Sequence, residues 1–247
     1  MNGYQLDWWA VLSGQPREWL FSGIWMTFRL TVFSSLLATV IAVILLAMRL
    51  TTSRLLQGIA ASYITVFRNT PLAVQFLFWY FGVIPLLPEL WRDWLNETHI
   101  YAGFTFPSME LIAGIWGLGL FSAAFIAEEL RAGVRAVSAG QFEAARSQGL
   151  SAWQTLRYVI LPQALANSWQ PLIGQYLNLM KNSTLAMSIA VAELCYQVNQ
   201  IESYNLHAIE AFAVGSLIYL LLGLFLSSSL DAFGRVIFKH KRSHSHG

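Results

Sequence analysis

Three stretches of this sequence run for about the thickness of a lipid bilayer without one charged side chain: 30–48, 69–88 and 211–230. A helix rises ~1.5 Å per residue, so crossing roughly 30 Å of hydrocarbon takes about 20 residues. Lipid admits only helices or closed barrels, because it offers backbone polar groups no partner. The composition agrees, with 56% hydrophobic and 11% charged residues against roughly 25% charged in ordinary globular domains. Mean hydropathy is +0.51. Two less uniform runs complete the set: 111–127, which ends at Glu128, and roughly 168–193, which contains Lys181. The expected fold is an all-α integral membrane protein with five transmembrane helices.

The first run is not a cleaved signal peptide, since 29 residues with acidic and aromatic character precede it and no small-residue cleavage site follows. Orientation follows from the basic residues of short loops. An outside N-terminus puts Arg49, Arg54, Arg131, Arg135, Arg146, Arg157, Arg235, Lys239, Lys241 and Arg242 in the cytoplasm and leaves Arg17 and Arg92 outside. Trp8, Trp9, Trp19, Trp25, Trp79, Trp91 and Trp94 then gather at the outer interface, where amphipathic rings settle. The chain divides into a periplasmic segment over 1–22, a membrane domain over 23–235 and a basic cytoplasmic tail over 236–247. Cys195 is the one cysteine and has no partner for an internal disulfide.

At the entry to the second run stand Arg68, Asn69, Thr70 and Pro71, in surroundings otherwise about as apolar as lipid. Pro71 has no N–H and disrupts the helix, leaving carbonyls that lipid cannot satisfy. A charge at membrane depth costs at least roughly 2.5–3.5 kcal/mol and commonly marks a pathway. Two blander readings remain open: Arg68 snorkels to the inner interface, or Pro71 is a packed kink. Residues 180–187 echo residues 67–74, with Lys181, Asn182, Ser183 and Thr184 reading as cation, amide, hydroxyl. Both lie on segments that run inward to outward, the pattern of a parallel repeat. If each interrupts its helix, two helix N-termini and two cations face one cavity, a setting for a carboxylate. Gln75 stands one turn beyond Pro71, with a partner across the helix interface as the expectation. Glu128 belongs either to a solvated helix end beside Arg131 or to a pair with Arg68 across a closed path.

The inner loop over 138–162 carries two capping-box spacings, Ser138 with Gln141 and Ser151 with Gln154. Gly149 lies between them as a C-cap and Pro162 is placed to stop the second helix. A short helix, a sharp turn and a second short helix are expected, with Ala144 and Ala145 keeping one side slim.

The letters of this loop go further. Glu143, Ala144, Ala145, then Gly149, then Val159, Ile160, Leu161 and Pro162 are similar to the EAA loop of ABC-importer permeases, the coupling element that docks on the ATPase. The stretches 122–134, 67–76 and 179–189 resemble the polar amino-acid branch (the histidine, glutamine and glutamate type), and the likeness covers roughly 20–235. Val159 and Ser138 depart mildly from the pattern. Asn69, where many relatives have glycine, makes the chain look most like the glutamate/aspartate permeases of that branch.

The residues above mark a candidate substrate path through Arg68, Asn69, Thr70, Gln75, Glu128, Lys181, Asn182, Ser183 and Thr184. The resemblance implies the mechanism and the partners: an ABC ATPase dimer, a second permease subunit, identical or homologous, and a periplasmic or lipid-anchored amino-acid-binding protein. Membrane lipid surrounds it in the bacterial inner membrane, and no nucleic acid is involved. The sequence has no Gly-x-x-x-x-Gly-Lys loop, so ATP and Mg are expected on the partner, with no cofactor, metal site or catalytic residue here. The alternatives are an ion-coupled transporter or channel subunit, or an importer of the same type for a neutral amino acid.

Overall fold

A computed structural model describes residues 5–97, 100, 101, 104, 105 and 108–238. A short α1 (Trp9–Leu12) precedes α2 (Gly14–Leu50), so the helix begins inside the segment assigned above to the periplasm. Then come α3 (Arg54–Asn69) and α4 (Leu72–Leu77), which continues through a π-type stretch (Phe78–Val83) into a 3-10 turn (Ile84–Leu86). An amphipathic α5 (Glu89–Asn96) follows. β1 (Ile100–Tyr101) and β2 (Phe104–Thr105) form a two-residue antiparallel pair. The second half holds α6 (Met109–Arg135), α7 (Ala139–Ser147) and α8 (Ala152–Gln154). A π-type stretch (Thr155–Ile160) joins α8 to α9 (Leu161–Asn182), which a 3-10 segment (Ser183–Ile189) prolongs. α10 (Leu194–Asn205) and α11 (Ala208–Ile237) close the described chain. Lys239, Lys241 and Arg242 lie outside the described residues.

Among the described residues three helices are long and apolar enough to cross a membrane: α2, α6 and α11. The other two expected spans are interrupted helices, broken after Asn69 and again after Asn182.

α6 is the centre. Its Leu111, Leu118, Ala123, Ala124, Ile126 and Ala127 are buried in the main core with Leu30 and Ala38 of α2, Phe76 of α4, and Leu172 and Leu179 of α9. Small residues set these spacings, since helices in lipid gain by close packing. A Cβ on Gly117 would meet Phe76 Cδ1 at 2.7 Å, and one on Gly119 would meet Leu37 Cδ2 at 2.8 Å. Hydroxyls pin the layers: Tyr63 donates to the Leu120 carbonyl at 2.8 Å, and Thr39 and Tyr176 share a 2.7 Å hydrogen bond. A second core joins Leu20 of α2 to Leu194, Val198 and Ile201 of α10 and Ala211 of α11.

Candidate functional site

The break at Thr70 and Pro71 is satisfied from within its own segment. In an unbroken helix the Phe67 carbonyl would accept from the N–H of residue 71, which proline lacks. Gln75 supplies the replacement: its Nε2 lies 3.2 Å from Phe67 O and 2.5 Å from Thr70 Oγ1. The Thr70 hydroxyl donates back to Val66 O at 2.9 Å, and the Asn69 amide to Thr65 O at 2.7 Å. Gln75 is buried, and its partners are all in the turn before Pro71 rather than across the helix interface as expected. The reason is distance: one turn beyond the proline, its amide reaches the carbonyls the proline leaves open.

At the second site the helix tightens to 3-10 instead, and local hydroxyls bond the carbonyls three residues back. Ser183 is buried and donates to Met180 O at 2.7 Å; Thr184 donates to Lys181 O at 2.9 Å. The two segments beyond the breaks, α4 and Ser183–Ile189, pack against one another, so the echo noted in the sequence is also a juxtaposition in space.

One expectation is corrected here. Arg68 and Lys181 sit in the last turn of α3 and α9, at the negative end of each helix dipole. A new α-helix begins after the first break at Leu72, whereas Ser183 continues directly in a 3-10 helix, so the pair of fresh N-termini does not form. For Glu128 the first of the two readings holds, the helix end beside Arg131, and the alternative pair with Arg68 does not form. Arg131 takes the Glu128 carboxylate, with Nε on Oε1 at 2.9 Å and the second guanidinium nitrogen on Oε2, since a residue one turn along the same helix is always within reach. Arg68 instead lies over the Phe125 ring, 5.2 Å from its centroid, and like Lys181 and Asn69 is exposed. Among the described residues neither Arg68 nor Lys181 makes an ion pair. Asn182 is half-buried.

On the loop over 138–162, α7 ends in a Schellman arrangement. Gly149 (φ +77) donates to Arg146 O at 2.9 Å and Leu150 to Ala145 O at 3.1 Å. Ser151 and Gln154 form the expected capping box. Ser138 occupies the N-cap of α7 but its side chain makes no cap bond, and Gln141 accepts from Gln163 Nε2 at 3.1 Å instead. The stop expected at Pro162 is also absent: the preceding π-type turn shifts the bonding register and Ala152 to Asn182 remains helical throughout. The second short helix is therefore the inner end of the fourth apolar segment. Ala145 is buried while Glu143 and Ala144 face outward. Leu161 is half-buried and Pro162 exposed. Trp153, which no motif in the sequence singles out, is 63% exposed beside the turn.

The family described as binding-protein-dependent transport system inner membrane component matches residues 38–239. The chain belongs to this family. The glutamate/aspartate import permease protein GltJ of Escherichia coli (strain K12) is 32% identical over 230 residues, covering 90% of this chain and 91% of its own. The probable glutamine ABC transporter permease protein GlnM of Bacillus subtilis (strain 168) is 35% identical over 207 residues, covering 81% and 88%. Among solved structures, that of an amino acid ABC transporter with histidines superposes with a TM-score of 0.78 at 30% identity, covering 94% of this chain and 99% of the other. The inward-facing MetNI methionine ABC transporter shares the fold, with a TM-score of 0.67 at 19% identity, covering 91% of this chain and 99% of the other. This member of the permease family is an amino-acid ABC permease subunit.

Proposed function

We propose that this permease is the membrane subunit of an ATP-driven, binding-protein-dependent importer for dicarboxylic amino acids, glutamate or aspartate, in the bacterial inner membrane. The observation that carries the reading is the pair of cation-bearing breaks, Arg68–Pro71 and Lys181–Thr184, whose downstream segments pack on each other. One carboxylate of an amino acid is balanced by its own ammonium, so a neutral substrate needs one cation at most. A second cation favours a second carboxylate. The likeness to GltJ supports the same substrate class. In this reading an ABC ATPase dimer binds ATP and Mg, and the loop over 138–162, with Glu143, Ala144, Ala145 and Gly149 at its turn, carries its closure to the spans. Access then alternates between a binding protein outside and the cytoplasm, along a path shared with a second permease subunit.

The helix ends themselves favour a second reading. Arg68 and Lys181 each end a helix, and cations there stabilise the C-terminal carbonyls by roughly 0.3–1 kcal/mol without touching any substrate. The test is Arg68→Gln and Lys181→Gln in the reconstituted transporter with its ATPase and binding protein. The substrate reading expects glutamate uptake to fall by at least about tenfold, one charge-assisted hydrogen bond, with assembly and basal ATP hydrolysis kept. Unchanged uptake in both variants overturns it and leaves selection to the binding protein.

A further inference from the structure

The groove between α2 and α11 encloses a cavity of about 550 Å³, within the roughly 300–1,000 Å³ of pockets that hold small ligands. Phe21 and Ile24 line it from α2, Leu217 and Leu221 from α11, and Trp8 also lines it. The lining is apolar with a single exception, Arg17. Its guanidinium lies 5.6 Å from the centroid of Phe21, one helical turn along, which holds the charge over the groove wall. Among the described residues Arg17 makes no ion pair. Glu18, its neighbour in sequence, projects about 100° away round the helix and does not cover it.

Phe21, Leu217 and Leu221 are 61%, 55% and 56% exposed, so none of the described residues fills the groove. An acyl chain matches those walls, and a phosphate matches the planar fork of an arginine in bidentate geometry. Arg17 is exposed, so a headgroup can reach its guanidinium.

We propose that this groove is a phospholipid site, with the lipid phosphate on Arg17 and one acyl chain lying along Leu217 and Leu221. Only the leaflet, the outer one, rests on the orientation read from the loop charges; the site itself does not. A bound lipid there joins α2 to α11 at the edge of the second core, where Leu20 and Ala211 meet α10.

Native mass spectrometry of the assembled transporter, equilibrated with palmitoyl-oleoyl phosphatidylglycerol or with the diacylglycerol of the same chains, tests this. One phosphatidylglycerol retained per permease copy is expected, with the phosphate-free lipid lost. Arg17→Gln should lower its occupancy about tenfold, Arg17→Lys should keep at least half, and Leu217→Trp should displace the lipid by filling the groove. Equal occupancy in wild type, Arg17→Gln and Leu217→Trp overturns the site. A drop in Leu217→Trp alone, retention of diacylglycerol as strong as that of the phospholipid, or a loss in Arg17→Lys as deep as in Arg17→Gln each overturns the phosphate contact. Lipid retention is measured independently of transport and of sidedness, so a failed substrate assignment or a reversed orientation leaves the result unaltered.

Discussion

Gln75 has to replace a hydrogen bond that the backbone cannot make. Were it Leu, the Phe67 carbonyl and the Thr70 hydroxyl would lose a partner inside a packed, lipid-surrounded interface, a loss of about 1–3 kcal/mol per unsatisfied group. Gln75→Leu should lower the thermal midpoint of the purified transporter by several degrees. Gln75→Glu is informative beside it, since a carboxylate accepts but does not donate when ionised and therefore should not rescue. Equal midpoints for wild type and Gln75→Leu would show that the bridge does not stabilise the break. Gly149 poses a different residue-scale question. Nothing lies within 4 Å of where its Cβ would be, so a substitution meets no clash, only the backbone at φ +77. The left-handed conformation costs an ordinary L-residue roughly 1–2 kcal/mol, and asparagine less. Gly149→Val should therefore uncouple ATP hydrolysis from uptake while the protein stays in the membrane, and Gly149→Asn should retain most of the coupling. Wild-type uptake in Gly149→Val would separate this turn from coupling.

At the scale of elements, the close crossings depend on missing side chains. A Cβ on Gly133 would stand 1.8 Å from Ser168 Oγ and 2.4 Å from the Ala164 carbonyl. The serine can rotate away but the carbonyl belongs to α9 and cannot. Gly133→Ala should force α6 and α9 apart at a cost of about 1–3 kcal/mol, seen as a several-fold lower yield of assembled transporter. Normal yield and melting behaviour would show that α9 shifts freely there. This crossing was not legible in the sequence, where Gly133 is one of many glycines. The change at 183 stood only as a condition drawn from the echo of 67–74 in 180–187, while the helix interruption at 70 was legible, because proline is a local cause. The same applies to the turn at Gly149 and the capping box at Ser151. What failed was non-local. Whether Arg68 finds Glu128 or the Phe125 ring depends on how α3 lies against α6, and whether Pro162 ends a helix depends on a π-type register shift that no residue type announces. The groove at Arg17 was equally invisible, since its walls are brought together from the two ends of the chain.

For the whole molecule the decisive quantity is which face the loop over 138–162 presents to the cytoplasm, because an ATPase is reached from there alone. The basic residues just before and within it, Arg131, Arg135, Arg146 and Arg157, lead one to expect it inside. Gln15, at the start of α2, is expected on the opposite side of the membrane, and both Gln15 and Gly140 are exposed, Gly140 with nothing within 4 Å of an added Cβ. A cysteine at either position should react freely once Cys195 is replaced by serine. That background is mild, since the Cys195 sulfur has only weak contacts, to Met187 Sδ at 3.7 Å and the Asn199 amide at 3.8 Å. With a membrane-impermeant maleimide, Gln15→Cys should be labelled in intact spheroplasts and Gly140→Cys only in inverted vesicles. Lipid binding has a consequence at this scale too: Arg17 lies two residues beyond Gln15 on α2, so the leaflet that supplies its phosphate is the one whose surface labels Gln15→Cys. Labelling of Gly140→Cys in spheroplasts would turn the molecule over, and with it remove the loop from the reach of any cytoplasmic ATPase.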